Sequence, residues 1–115
     1  MSVLSELKTV LDAATDIPFE TGKYTDVPEE DFGVILPLTD VYGLSADNFP
    51  EIDVQHARLE IFIKGNYMQE KKTITTALLN AGFTITGRGY VEYEQETGYH
   101  HFYIDVAQFY EMEDF

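Results

Sequence analysis

The sequence has no cysteine, so neither a disulfide framework nor a thiolate metal site is open to it. Basic residues are scarce: 7 lysines and arginines stand against 21 aspartates and glutamates, a net charge of −14 over 115 residues. That balance excludes a basic groove that neutralises many phosphates. No apolar run approaches the ~20 residues needed to cross a bilayer. The stretch 1–15 carries Glu6, Lys8 and Asp12 inside its apolar pattern, where a signal peptide needs an unbroken apolar core. The expected compartment is therefore the cytoplasm. Serine occurs only at Ser2, Ser5 and Ser45, none of them in a nucleophile elbow. There is no internal repeat and no low-complexity segment. What the chain does have is 44% apolar and 14% aromatic residues, enough to exclude disorder from lack of hydrophobicity and to build one domain over 1–115.

A charge of −14 exceeds the ~2 to 8 of an ordinary small domain and costs the compact state stability through self-repulsion. Three uses fit it: solubility, a wall that DNA must slide past, or a surface that imitates DNA to occupy a nucleic-acid-binding protein. The carboxylates are spread along the chain, densest at Glu29-Glu30-Asp31, at Glu92, Glu94 and Glu96, and at Glu111, Glu113 and Asp114.

Residues 2–14 read as an amphipathic helix capped by Ser2, with Val3, Leu4, Leu7, Val10, Leu11 and Ala14 at three- and four-residue spacing. Pro18 closes it. Residues 16–31 read as a long acidic loop, an arm suited to a partner contact. Residues 32–39 read as a short strand placed at an edge or broken at Pro37, and 40–51 as a second loop. Residues 52–64 give the clearest strand: Ala57, Leu59, Ile61 and Ile63 face one way, His56, Arg58, Glu60 and Phe62 the other. A second helix is predicted over 67–81, with Met68, Ile74, Ala77, Leu78 and Ala81 on its apolar stripe and Gly82 as its stop. Strands at 83–93 and 99–109 follow, joined by a turn at 94–98. Gly87 and Gly89 mark a bulge in the first, and Phe102, Ile104 and Val106 alternate with His101, Tyr103 and Asp105 in the second. The end, 111–115, reads as a frayed acidic tail. The sum is an α+β domain in the order α-β-β-α-β-β, a mainly antiparallel sheet of about four strands with both helices on one face.

Little in the sequence points to catalysis or to a metal. His100 and His101 are neighbours in a strand and point to opposite faces. A site built from His56, His101 and Glu60 requires their strands to pair, and solvated strand histidines are the simpler reading. Asp47-Asn48 lacks the rest of a calcium loop, and Gly87-Arg88-Gly89 lacks the strand-to-helix setting of a phosphate cradle. The expectation is no enzyme, no cofactor and no metal. The aromatic residues say more. Two helices cover only one face of such a sheet, so aromatics on the other, such as Phe62 and Tyr103, are expected to stand exposed and to serve self-association, helped by open sheet edges.

One family brings these features together. Ile17-Pro18-Phe19 leads into the acidic arm. Val34-Ile35-Leu36-Pro37 follows, then Ser45-Ala46-Asp47-Asn48-Phe49, the strand Ala57-Arg58-Leu59-Glu60-Ile61-Phe62, the helix end Ala77-Leu78-Leu79-Asn80-Ala81-Gly82-Phe83, and the hairpin Tyr93-Glu94-Gln95-Glu96-Thr97-Gly98-Tyr99-His100-His101-Phe102. In this order the stretch 17–106 resembles the tail completion proteins of long-tailed bacteriophages and prophages, the tail-to-head joining or tail terminator-like group. Members commonly show Leu-Tyr where this chain has Ile61-Phe62, and the length of the acidic arm at 20–31 is a second departure from the family's pattern. The resemblance implies a structural subunit of the virion, assembled in the host cytoplasm into a ring, usually six-fold. The ring sits at the head-proximal end of the tail, ends the tube and meets the head connector. Its partners are then its own copies, the major tail protein and the connector. Genome DNA passes through without specific binding, and no membrane and no cofactor are involved. The residues expected to touch partners are Glu29, Glu30 and Asp31 in the arm, Asp47, Asn48 and Phe49 in the second loop, and Phe62 and Tyr103 on the sheet. An acidic DNA-mimic inhibitor is the alternative, and a small metal-dependent hydrolase a third reading.

Overall fold

The computed structural model describes residues 2–22, 30–44 and 50–111. The first helix, α1 (Val3–Ala14), starts where Ser2 and Ser5 cap one another: the Ser2 hydroxyl accepts the Ser5 N–H at 3.3 Å and Ser5 Oγ accepts the Ser2 N–H at 3.3 Å. Its four-residue repeat Val3, Leu7, Leu11 is buried. The chain then passes Pro18 into β1 (Phe19–Thr21), β2 (Phe32–Leu44), β3 (Pro50–Ile63), α2 (Tyr67–Asn80), β4 (Thr84–Glu94) and β5 (Tyr99–Glu111). The strands form one sheet in the order β1-β2-β3-β5-β4. β1 runs parallel to β2 and every other pairing is antiparallel. The architecture is α+β, two helices on a five-stranded mixed sheet.

The core forms where the alternation of β3 and β5 requires it. Ala57, Leu59 and Ile61 lie opposite Val106, Ile104 and Phe102, all on the face that α1 and α2 cover. α2 contributes Ile74 and Leu78, with Tyr67 and Ala81 at the margin. Met68, predicted on the same stripe, is 66% exposed, because the helix turns it away from the sheet. Gly82 ends α2 with φ +90°, and Gly98 ends the β4–β5 turn with φ +81°. The β4–β5 ladder shifts register between Ile85 and Gly87, where a bulge is expected, and again between Tyr90 and Glu92, at Val91, whereas Gly89 pairs in regular register with Tyr103.

The sheet departs from expectation in two places. The stretch 16–31, predicted as loop, contains β1. Three residues are too few to show a period, and the strand is held by one side chain: Phe19 is completely buried, and its parallel partner Gly33 leaves space for the ring. The stretch 40–51, also predicted as loop, continues the β2–β3 hairpin, with Asp40 paired to Gln55, Val41 to Val54 and Gly43 to Ile52. Gly43 falls beside a register shift and Pro50 at the first residue of β3, the two positions where a strand tolerates them. Residues 45–49 lie outside the described residues. Pro37 behaves as its chemistry demands: β1 pairs with β2 only along Gly33–Ile35, so among the described residues β2 is an edge beyond Ile35, and its ladder to β3 is interrupted after Pro37.

Polar groups are buried beneath the N-terminus of α1. Gln55 Oε1 accepts the Val3 N–H at 2.9 Å, and the Gln55 amide donates to the carboxylate of Asp53 at 2.7 Å; both residues are buried. Beside them the Tyr110 hydroxyl donates to Glu6 at 2.5 Å. Burial first, and the bond to Glu6 second, push the Tyr110 phenol well above its ordinary value of 10. Below pH 10 it is protonated in folded and unfolded chains alike and its contribution is intact. Above that the unfolded chain ionises first, so stability falls as pH rises toward the folded value. Tyr110→Phe should cost about 1 kcal/mol at neutral pH. It should also lose less stability than the wild type when urea titrations are moved above pH 10. Parallel decline of the two proteins would contradict this assignment.

Candidate assembly interface

The sheet face away from the helices carries His56, Arg58, Glu60 and Phe62 of β3 against His101, Tyr103 and Asp105 of β5. At one end the rings of Phe32 and Phe62 stack at 4.7 Å, Phe62 stacks on His101 at 4.2 Å, and Tyr99 meets Phe32 edge-on at 5.4 Å. His101 Nε2 is hydrogen-bonded to the Glu60 carboxylate. In the middle, Arg58 donates twice to Asp105, at 2.7 and 2.9 Å, and its guanidinium lies over the Tyr103 ring at 4.5 Å. The Asp105 bonds raise the Arg58 group further above its already high value, so it stays charged. On its other side Tyr103 rests against Gly89, where a Cβ would lie 2.6 Å from the ring.

This geometry corrects one expectation. Phe62 and Tyr103 do lie on the face without helices, but each is half-buried, closed in by ring stacking in one case and by Arg58 and Gly89 in the other. Of the arm residues, Glu30 is exposed, and its carbonyl accepts the Tyr99 hydroxyl at 2.7 Å. Asp31 accepts the Lys64 backbone N–H at 2.8 Å, so its carboxylate has a structural task at the start of β2. Glu29, Asp47, Asn48 and Phe49 lie outside the described residues. β3 and β5 do pair, yet His56 sits opposite Ala107 and His101 opposite Phe62, six residues further along β3, which is roughly 20 Å. These histidines cannot share a metal ion. Among the described residues no three His, Asp or Glu side chains are grouped to hold one.

The large exposed side chains lie elsewhere. Tyr90, Val91 and Tyr93 of β4 are each about half exposed, and Phe109 and Ile52 stand on the face without helices at the far end of the sheet. Tyr90 and Tyr93 belong to a ring cluster with Tyr67 and His100 at the start of α2, and Tyr90 Oη lies 3.0 Å from His100 Nδ1. Partial desolvation, with Tyr67, Tyr93 and Glu92 nearby, raises the Tyr90 phenol above its ordinary value. The crowding of tyrosines in the C-terminal hairpin is visible in the sequence. That β4 forms the border of the sheet while β5 lies inside it is a matter of strand order, and this is what exposes Tyr90 and Tyr93.

The borders themselves differ. β4 presents an unpaired outer edge over Thr84–Glu94, interrupted by its two bulges. The other border is the three-residue β1 followed by the part of β2 beyond Ile35, which no other described strand covers. No described helix is long and apolar enough to cross a membrane. Comparison of the chain with protein-family models and with curated proteins finds no match.

Proposed function

We propose that this chain is a structural subunit of the head–tail junction of a long-tailed bacteriophage or prophage. Copies form a ring, six-fold in the family it resembles, at the head-proximal end of the tail, where it ends the tube and joins the head connector. The observation that carries this reading is the open sheet with two unlike borders that no other described strand pairs. A contact between unlike borders is heterologous, and a heterologous contact whose rotation closes makes a ring. The half-exposed Tyr90, Val91 and Tyr93 supply apolar area along one of them. The charge of −14 suits a passage through which DNA slides, because the wall repels the phosphates.

Native mass spectrometry over a concentration series, alone and with purified tail tubes, tests the proposal. A ring is expected in at least one of the two settings; a strict monomer in both overturns it. The double variant Val91→Lys/Tyr93→Lys places charge on the β4 border. It should cost no more than ~2 kcal/mol of unfolding free energy, since both side chains are half exposed and the packing lost is that of Tyr93 on His100, and reduce the ring population at least ~10-fold.

A further inference from the structure

The cations of the described residues fall into two groups. Lys8 pairs with Asp12 at 3.1 Å, Arg58 pairs with Asp105, and Lys64 lies over the Tyr99 ring at 4.9 Å. Lys71, Lys72 and Arg88 have no ion-pair partner among the described residues, although the chain carries three times as many acids as bases. These three line a single pocket of about 170 Å³ between α2 and β4, together with Met68, Thr75 and Thr76. The buried Thr75 Oγ1 has no hydrogen-bond partner, whereas a threonine inside a helix ordinarily bonds the carbonyl one turn back. The space equals that of roughly five water molecules, which suits a carboxylate and its short stem. Glu92 and Glu94 are also on β4 but pair with His101 and Tyr99 on the opposite face, toward the turn, and so do not neutralise Arg88.

The β1 side of the molecule has the complementary chemistry. Asp16, Glu20 and Glu30 are exposed there and have no ion-pair partner among the described residues. We propose that the pocket of Lys71, Lys72 and Arg88 is a carboxylate socket for a second copy of this chain, which inserts acidic side chains from its β1 side. The inference rests on the ring reading above and names its contact. Two copies at −14 repel one another as wholes, but that repulsion is screened beyond ~8 to 10 Å. Close pairing at the socket therefore sets the register of the contact and selects unlike borders over like ones.

Sedimentation of two charge-reversed variants tests it. Lys72→Glu/Arg88→Glu reverses the socket, and Asp16→Lys/Glu20→Lys reverses the side that enters it. Each variant alone should self-associate at least ~10-fold more weakly than wild type at ~0.1 M salt, with its thermal midpoint unchanged because all four side chains are exposed. An equimolar mixture of the two should associate again, since every contact in an alternating ring is then complementary. A wild type that assembles alongside a socket variant that assembles equally well overturns the socket and leaves the ring standing. Two weakened variants that do not rescue each other overturn the pairing of these two surfaces. A wild type that never associates, alone or on tail tubes, overturns the ring and the socket together.

Discussion

Gly33→Ala should destabilise the protein by about 3 kcal/mol, at the upper end of what overpacking costs. A Cβ at position 33 would lie 2.1 Å from Cε2 of Phe19 and within 2.7 Å of two further ring atoms. The ring has nowhere to go. Phe19 is completely buried, packed in the core cluster with Val3, Leu7, Leu11 and Ile35, and it anchors a strand of only three residues. Yielding at this point means releasing β1 from β2, and with it the side of the molecule that presents Glu20. Gly65→Ala is the matched control: nothing lies within 4 Å of a Cβ there, so its effect should stay within ~0.5 kcal/mol. A double-mutant cycle with Phe19→Leu should show coupling of at least ~1 kcal/mol, because the smaller side chain removes the clash. Equal stability of Gly33→Ala and Gly65→Ala in urea would mean that the ring does not rest on this glycine.

Gln55→Leu should cost a similar amount, about 3 kcal/mol. Gln55 serves two buried groups at once, as acceptor for the Val3 N–H that opens α1 and as donor to Asp53, which is only 1% exposed. Leucine satisfies neither, and each orphaned group carries its own desolvation cost. Gln55→Glu separates the two tasks. It keeps an acceptor for Val3 but sets a second carboxylate against Asp53, so at neutral pH it should be at least as damaging as leucine. Acidification should relieve part of the Gln55→Glu defect, because protonating one of the two carboxyls removes the like-charge contact, and should do nothing comparable for Gln55→Leu. Pairing Gln55→Leu with Asp53→Leu should recover the part of the stability that belongs to the Asp53 contact, since removing both polar partners costs less than removing one, and leave the part that belongs to the Val3 N–H. A Gln55→Leu protein with wild-type stability would refute the account of this polar cluster.

The strongly periodic segments of this protein were legible from sequence. α1 begins at its Ser2 cap, β3 and β5 bury the alternating residues that two-residue periodicity marks, and α2 stops at Gly82. The failures have a common cause. A glycine or proline disfavours a strand locally, but the pairing partner decides whether the strand forms. Pro50 and Gly43 suggested a loop at 40–51, but a long hairpin tolerates a proline at a strand start and a glycine at a shift in register. β1 was invisible because three residues carry no period, and its stability comes from one phenylalanine seated on a glycine 14 positions away. The alternation of β3 and β5 places Phe62 and Tyr103 on the face without helices, but does not set their half-buried state. Ring stacking and the Arg58–Tyr103 contact depend on cross-strand register, which a single strand does not encode.

The amino-acid sequence alone determined the class of the fold, the large negative charge, and which face of β3 and β5 is core, because composition and period are properties of the chain itself. Only the tertiary structure decided that β4 forms one border and β1 the other, and that Lys71, Lys72 and Arg88 meet in one pocket between α2 and β4. Strand order is a choice among pairings with nearly equal local energies. It is settled by how two helices cover one shared face, and no single segment contains that information.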